Sequence, residues 1–113
     1  MGLFSMIKDS FISSGELRRV NLEINQHLIK AVRLFENDGG IVTHLNAASI
    51  KYEVREIERL MPKFHQQINR LDRSHFSSTI VTNIDGRTMY LPQYLQAVEE
   101  SLAIMNTALR GFY

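Results

Sequence analysis

Apolar residues recur at spacings of three and four in three stretches of the chain, and this period predicts three long amphipathic helices. The stretches cover about 15–37, 45–73 and 92–110. The second has the most regular pattern, because its apolar residues keep one heptad phase on both sides of Pro62. We therefore favour one continuous helix with a kink at the proline over two separate helices. The heptad residues are Ile50, Val54, Ile57, Met61, Phe64, Ile68 and Leu71.

Two shorter segments lack this long helical repeat. Residues 2–12 carry several large apolar side chains and predict a short N-terminal helix that packs on the end of the other helices. Residues 79–82 and 87–90 are rich in strand-forming residues and flank the turn-like sequence 83–86. The region of about 77–90 is therefore predicted to be a small hairpin or an irregular excursion.

These elements predict an all-α fold, an antiparallel bundle of three long amphipathic helices plus the short N-terminal helix. The connection between the first two helices is short, which favours their packing as neighbours. The length of 113 residues suits a single domain over 1–113.

Composition narrows the classes of function. The 13 basic and 12 acidic residues leave a net charge of +1, which argues against an electrostatic grip on nucleic acid by the whole surface. With no cysteine, disulfides, thiolate nucleophiles and cysteine metal sites are excluded. No membrane span or secretory leader is recognisable, so we expect a cytoplasmic protein without membrane contact.

Two apolar residues on the first predicted helix fall outside its main apolar face. Leu22 and Ile29 are one heptad apart and lie about 120–140° from that face on a helical wheel. One explanation is that the first helix touches two other helices. The other is an exposed apolar seam for a partner protein or a second copy, so a homodimer is expected on this view.

The second predicted helix carries a basic stripe opposite its apolar face. Its members are Lys51, Arg55, Arg59, Lys63, Arg70 and Arg73. Such a stripe is typical of a solvated helix face, but it could also contact an acidic protein or nucleic-acid phosphates.

Other chemistry has weaker support. The four histidines lack the spacing of metal sites, and Glu23 and His27 form a single facing pair, so no metal or cofactor is expected. The spacing of Arg70 and His75 is similar to the short Arg-to-His motif of helical ribonucleases of the HEPN type. That resemblance implies a histidine that transfers protons and an arginine that holds phosphate. Because arginine and histidine are frequent here, such a spacing also arises by chance.

We therefore expect a small non-catalytic helical protein that binds another protein, or a second copy of itself, through its helix surfaces. Leu22 and Ile29 would supply an apolar contact, and Lys51, Arg55, Arg59 and Lys63 an electrostatic one. The alternatives are a HEPN-type ribonuclease using Arg70 and His75, and a nucleic-acid-binding accessory protein using the basic stripe.

Overall fold

The structure, a computed structural model, describes residues 11–12 and 15–112. It is mostly helical, as predicted, with three long helices and a short one, and it adds a small β-sheet. The elements are β1 (Phe11–Ile12), α1 (Gly15–Asn37), α2 (Ala47–Asn69), α3 (Arg73–Phe76), β2 (Thr79–Thr82), β3 (Thr88–Tyr90), α4 (Leu91–Leu109) and a 3-10 turn (Arg110–Phe112).

The ends of the helices follow from local sequence. After α1, Gly39 and Gly40 take positive φ angles of 74° and 79°, a backbone region in which side chains are strained. The predicted end of the second helix at residue 73 is wrong. Asp72 is extended, with ψ at 145°, and separates α2 from the single turn of α3.

Helix α2 runs without a break through Pro62, so the prediction of one continuous helix is confirmed. Proline has no N–H to donate to the carbonyl of Glu58, four residues earlier. The side chain of Pro62 faces solvent, so the core does not require it.

Replacing Pro62 by alanine should therefore raise the free energy of unfolding by about 2–2.6 kcal/mol. Inside a helix, alanine is about 3 kcal/mol more favourable than proline. The unfolded chain of the alanine variant has more conformational freedom, and this offsets about 0.4–1 kcal/mol of the gain. Urea unfolding followed by circular dichroism measures the change. Gln66→Ala, at an exposed position of the same helix, is the control and should change little. An unchanged or lower stability for Pro62→Ala would contradict this account.

The short sheet has the strand order β1-β2-β3, with β1 parallel and β3 antiparallel to β2. The two strand-like segments do form a hairpin, in which Ile80 pairs with Tyr90 and Thr82 with Thr88. Its turn is closed by the amide of Asn83, which donates to the carbonyl of Arg87 over 2.8 Å. The prediction of a helix at residues 11 and 12 is wrong, because they pair with β2. Residues 2–10 of that predicted helix lie outside the described residues.

The long helices contact one another through polar pairs and ring contacts. Along α1 and α2, Glu16 meets Lys63 near one end and His27 meets Glu53 near the middle. Helix α4 lies on α2, where the rings of Phe64 and Tyr94 meet edge to face at a centroid distance of 5.8 Å. The side chains that are buried in the core belong to all three long helices and β2; those of the helices include Val20, Ile24, Ile50, Ile57, Phe64, Leu91, Val98 and Met105.

A buried polar cluster attaches β2 to α1. The amide side chain of Asn21 pairs with the backbone of Thr82 in both directions, accepting from N over 3.1 Å and donating to O over 2.9 Å. Asn25 donates to the same carbonyl over 2.7 Å and accepts from the hydroxyl of Tyr94 over 2.7 Å. Burial raises the pKa of Tyr94, so this hydroxyl stays protonated and can donate. We call the pairing of Asn21 with Thr82 the Asn21 clasp.

The molecule is elongated. Its radius of gyration is 15.7 Å, and its principal extents are 52 × 27 × 19 Å. A compact domain of this length would have a radius of gyration of about 13 Å. Much of the helix surface therefore faces solvent.

Candidate functional site

Three exposed apolar side chains belong to the connection between α1 and α2 and to the start of α2. Leu45 is 95 % exposed, and Ile41, four residues before it, is 58 % exposed. Tyr52 is 58 % exposed on the outer face of α2 and comes seven residues after Leu45 in the chain. We call Ile41, Leu45 and Tyr52 the tip.

The connection that carries the tip is held by its own hydrogen bonds. Asn46 is buried, and its side-chain amide donates to Asp38 Oδ2 over 2.5 Å and to the carbonyl of Ile41 over 3.3 Å. Its side-chain oxygen accepts from the amide of Thr43 over 2.7 Å. Because these bonds fix the backbone on both sides of Leu45, Ile41 and Leu45 are displayed at set positions rather than on a loose loop.

The 3-10 turn that follows α4 supports the same connection. The ring of Phe112 meets the ring of His44 edge to face, with centroids 5.3 Å apart. His44 is the residue directly before Leu45, so the contact joins the tip to the last turn of the described chain. The connection that carries Ile41 and Leu45 is therefore held both by Asn46 and by the turn that contains Phe112.

An apolar surface of this kind contributes free energy only when another molecule buries it. Burying one large apolar side chain contributes about 1.5–3 kcal/mol. Side chains exposed at single positions are common on soluble proteins, whereas three within residues 41–52 favour a contact with another molecule. Periodicity had not indicated Ile41 and Leu45, because they precede α2 and belong to no helical repeat.

Leu22 and Ile29 lie on the side of α1 that is turned away from α2. Leu22 is 37 % exposed, and Ile29 is half-buried but does not pack against the core. The flank of α1 next to them is occupied by β2 through Asn21 and Asn25. The structure therefore does not place these two residues between α1 and a second long helix.

The basic stripe of α2 is largely matched by acidic side chains. Arg55 is 2.7 Å from Glu58, and Arg59 is 2.6 Å from Glu56. Lys63 lies 3.7 Å from Glu16 on α1. The hydrogen bond from Arg59 lowers the pKa of Glu56, so that carboxylate stays charged in neutral solution. Lys51 is half-buried, and Arg70 and Arg73 lie beyond the end of α2.

An unpredicted hydrogen bond between side chains connects α1 and α2. His27 Nδ1 is 2.6 Å from Glu53 Oε2, and both side chains are largely buried. Glu23, which stands four residues before His27, binds Arg19 on its own helix instead. Glu53 falls on the apolar face of α2, so it meets the histidine that extends from α1.

The Arg-to-His spacing is split between two elements. Arg70 is the exposed C-cap of α2, and His75 is half-buried in α3. The extended Asp72 between them means that the two residues do not share one helix face.

Within residues 11–12 and 15–112, no group of three or more histidine, cysteine, aspartate or glutamate side chains could hold a metal ion. None of the helices in the described part is long and apolar enough to cross a bilayer. Comparisons with protein families, with curated proteins and with solved structures find no match to this chain.

Proposed function

We propose that this chain is a non-catalytic protein that binds another protein through the tip. One observation carries the proposal: Leu45 is 95 % exposed on a connection fixed by the buried Asn46. Anchor residues in protein interfaces are large, apolar or aromatic, and held in position before binding. Leu45 and Tyr52 have these properties, and Ile41 enlarges the apolar area.

The partner that fits is a protein with an apolar groove and carboxylates at its rim. Arg55 and Arg59 follow Tyr52 along the outer face of α2, with Lys51 and Lys63 at the edges of that face. Arg55, Arg59 and Lys63 already have acidic partners, so they would set the orientation of the partner more than the affinity.

We propose that the three long helices form an antiparallel bundle that holds the tip at one end, and that the protein acts in the cytoplasm. The apolar contact proposed for Leu22 and Ile29 would be a second surface on the side of the bundle.

The two alternative functions gain less support. Nucleic-acid phosphates would have to compete with Glu56, Glu58 and Glu16 for the cations of α2. A ribonuclease would need Arg70 and His75 to act from different elements. Neither alternative uses the exposed apolar side chains.

The test compares what the purified chain captures from an extract of its source cells with what two variants capture. The double variant Ile41→Ser/Leu45→Ser should lose at least one protein that the unchanged chain enriches, about tenfold or more. Ile104→Ser, which removes an exposed apolar side chain from α4, should retain it. Enrichment is measured by quantitative mass spectrometry, and circular dichroism checks the fold.

The captured protein must then bind the purified chain directly, in isothermal titration calorimetry. Equal capture by the unchanged chain and the tip variant would overturn the proposal. Loss of the same proteins from the Ile104→Ser variant would show that the effect is not specific to the tip.

A further inference from the structure

Helix α1 carries an exposed stripe that combines apolar and basic residues. At about 100° per residue, Arg18, Leu22, Ile29 and Arg33 fall within a sector of about 60°. Leu22 is 37 % exposed and Ile29 is half-buried, and both arginines are exposed. Among the described residues, neither arginine forms an ion pair. We call these four residues the α1 stripe.

Helix α4 carries an exposed stripe of the opposite character. Gln93, Ala97, Glu100 and Ile104 also fall within a sector of about 60° and are all exposed. Ile104 is 60 % exposed. The helix Leu91–Leu109 contains two glutamates and no lysine or arginine, so its outer surface is negative. We call these four residues the α4 stripe.

Both stripes lie on the side of the molecule that faces away from α2. On α1, the stripe lies beside Asn25, on the flank opposite His27. His27 is the residue that meets α2. On α4, it lies across the helix from Asn106, whose side chain reaches Glu58 of α2. The hydroxyl of Tyr94 binds Asn25, and strand β2 contacts both α1 and α4 on this side. The two stripes therefore lie on the same face of the molecule, together with the hairpin that separates them.

We propose that this face binds a second copy of the chain, with the α1 stripe of each copy on the α4 stripe of the other. The apolar residues of the two stripes would meet, and the arginines of α1 would approach Glu100 of α4. A two-fold axis makes the same contact twice, which is the usual symmetry of a homodimer. The α1 stripe is positive and the α4 stripe negative, so pairing unlike stripes is favoured over pairing like ones. The inference rests on the Leu22–Ile29 part of the proposed function and not on the tip.

The first test is the mass of the purified chain by sedimentation equilibrium over a range of concentrations, with no partner present. The expected result is a species of twice the 13.1 kDa mass of one chain. Leu22→Glu/Ile29→Glu should raise the dimer dissociation constant at least about tenfold. Leu45→Glu, which places the same charge on the tip, should leave it unchanged. A monomer at every concentration would overturn the inference and leave the tip unaffected.

A second test changes only exposed residues, so that a loss of dimerisation does not arise from unfolding of the chain. Variant A, Arg18→Glu/Arg33→Glu, makes the α1 stripe negative. Variant B, Gln93→Lys/Glu100→Lys, makes the α4 stripe positive. Each variant alone brings like charges together at both contacts, and its dimer should weaken at least about tenfold.

Mixing the two variants is the decisive step. In a dimer of A with B, the negative α1 stripe of A meets the positive α4 stripe of B, and the unchanged stripes meet at the other contact. The mixture should therefore dimerise with a dissociation constant within about threefold of that of the unchanged chain. If the mixture stays monomeric, or if A alone dimerises normally, the pairing of α1 with α4 is wrong.

Discussion

Replacing Asn21 by alanine should lower the free energy of unfolding by about 2–3 kcal/mol. The side chain of Asn21 is fully buried and makes two hydrogen bonds to the backbone of Thr82. Alanine leaves the amide of Thr82 without the partner that Asn21 supplies, and an orphaned buried donor costs about 1–3 kcal/mol. The carbonyl of Thr82 keeps Asn25, so part of the cluster survives.

The measurement is urea unfolding, combined with hydrogen exchange. Because the Asn21 clasp holds the hairpin and not the helices, exchange at Ile80 and Thr82 should accelerate more than exchange within α2. Gln26→Ala removes an exposed amide side chain from the same helix and should be nearly neutral. Equal losses of stability for Asn21→Ala and Gln26→Ala would show that the clasp does not hold the hairpin.

Replacing His27 by leucine should cost about 2–3 kcal/mol. Glu53 is only 8 % exposed, and the variant leaves its carboxylate near the core without its partner on α1. Breaking a buried pair by removing one member typically costs about 3–5 kcal/mol, and the partial exposure of His27 reduces this figure.

A double-mutant cycle separates this charge effect from packing. His27→Leu/Glu53→Leu should recover more than half of the loss, because no unpaired carboxylate remains and two apolar side chains can meet. Arg55→Leu, which breaks an exposed ion pair with Glu58, is the control and should cost less than about 1 kcal/mol. A double variant that is as unstable as the two single variants combined would contradict the role given to the buried carboxylate.

Elements that depend on local sequence were predictable. Helix α1 was predicted over the range in which it occurs, because its apolar period runs up to a glycine pair that stops a helix. The hairpin could be expected from its strand-forming residues and turn. Strand β1 could not, because two residues become a strand only by pairing with Thr79 and Ile80, far along the chain.

The positions of the buried polar residues are visible in the sequence, although the apolar period alone does not identify them. Asn21 and Asn25 are four residues apart on the flank of the apolar face of α1, and Glu53 lies on the apolar face of α2. Polar residues at such positions need partners, but the sequence does not say which group supplies each partner. The tip was harder to predict, because the direction of Leu45 depends on the hydrogen bonds of Asn46.

The Asn21 clasp also fixes the length of strand β2 but not the length of the hairpin turn. One residue added between Thr79 and Thr82 would move Thr82 away from Asn21 and turn Val81 out of the core. Asp85 and Gly86 are exposed, so residues added between them would lengthen the turn and leave the strands in register. A peptide tag or a fluorescent reporter is therefore best inserted at Asp85–Gly86, on a loop outside both the tip and the two stripes.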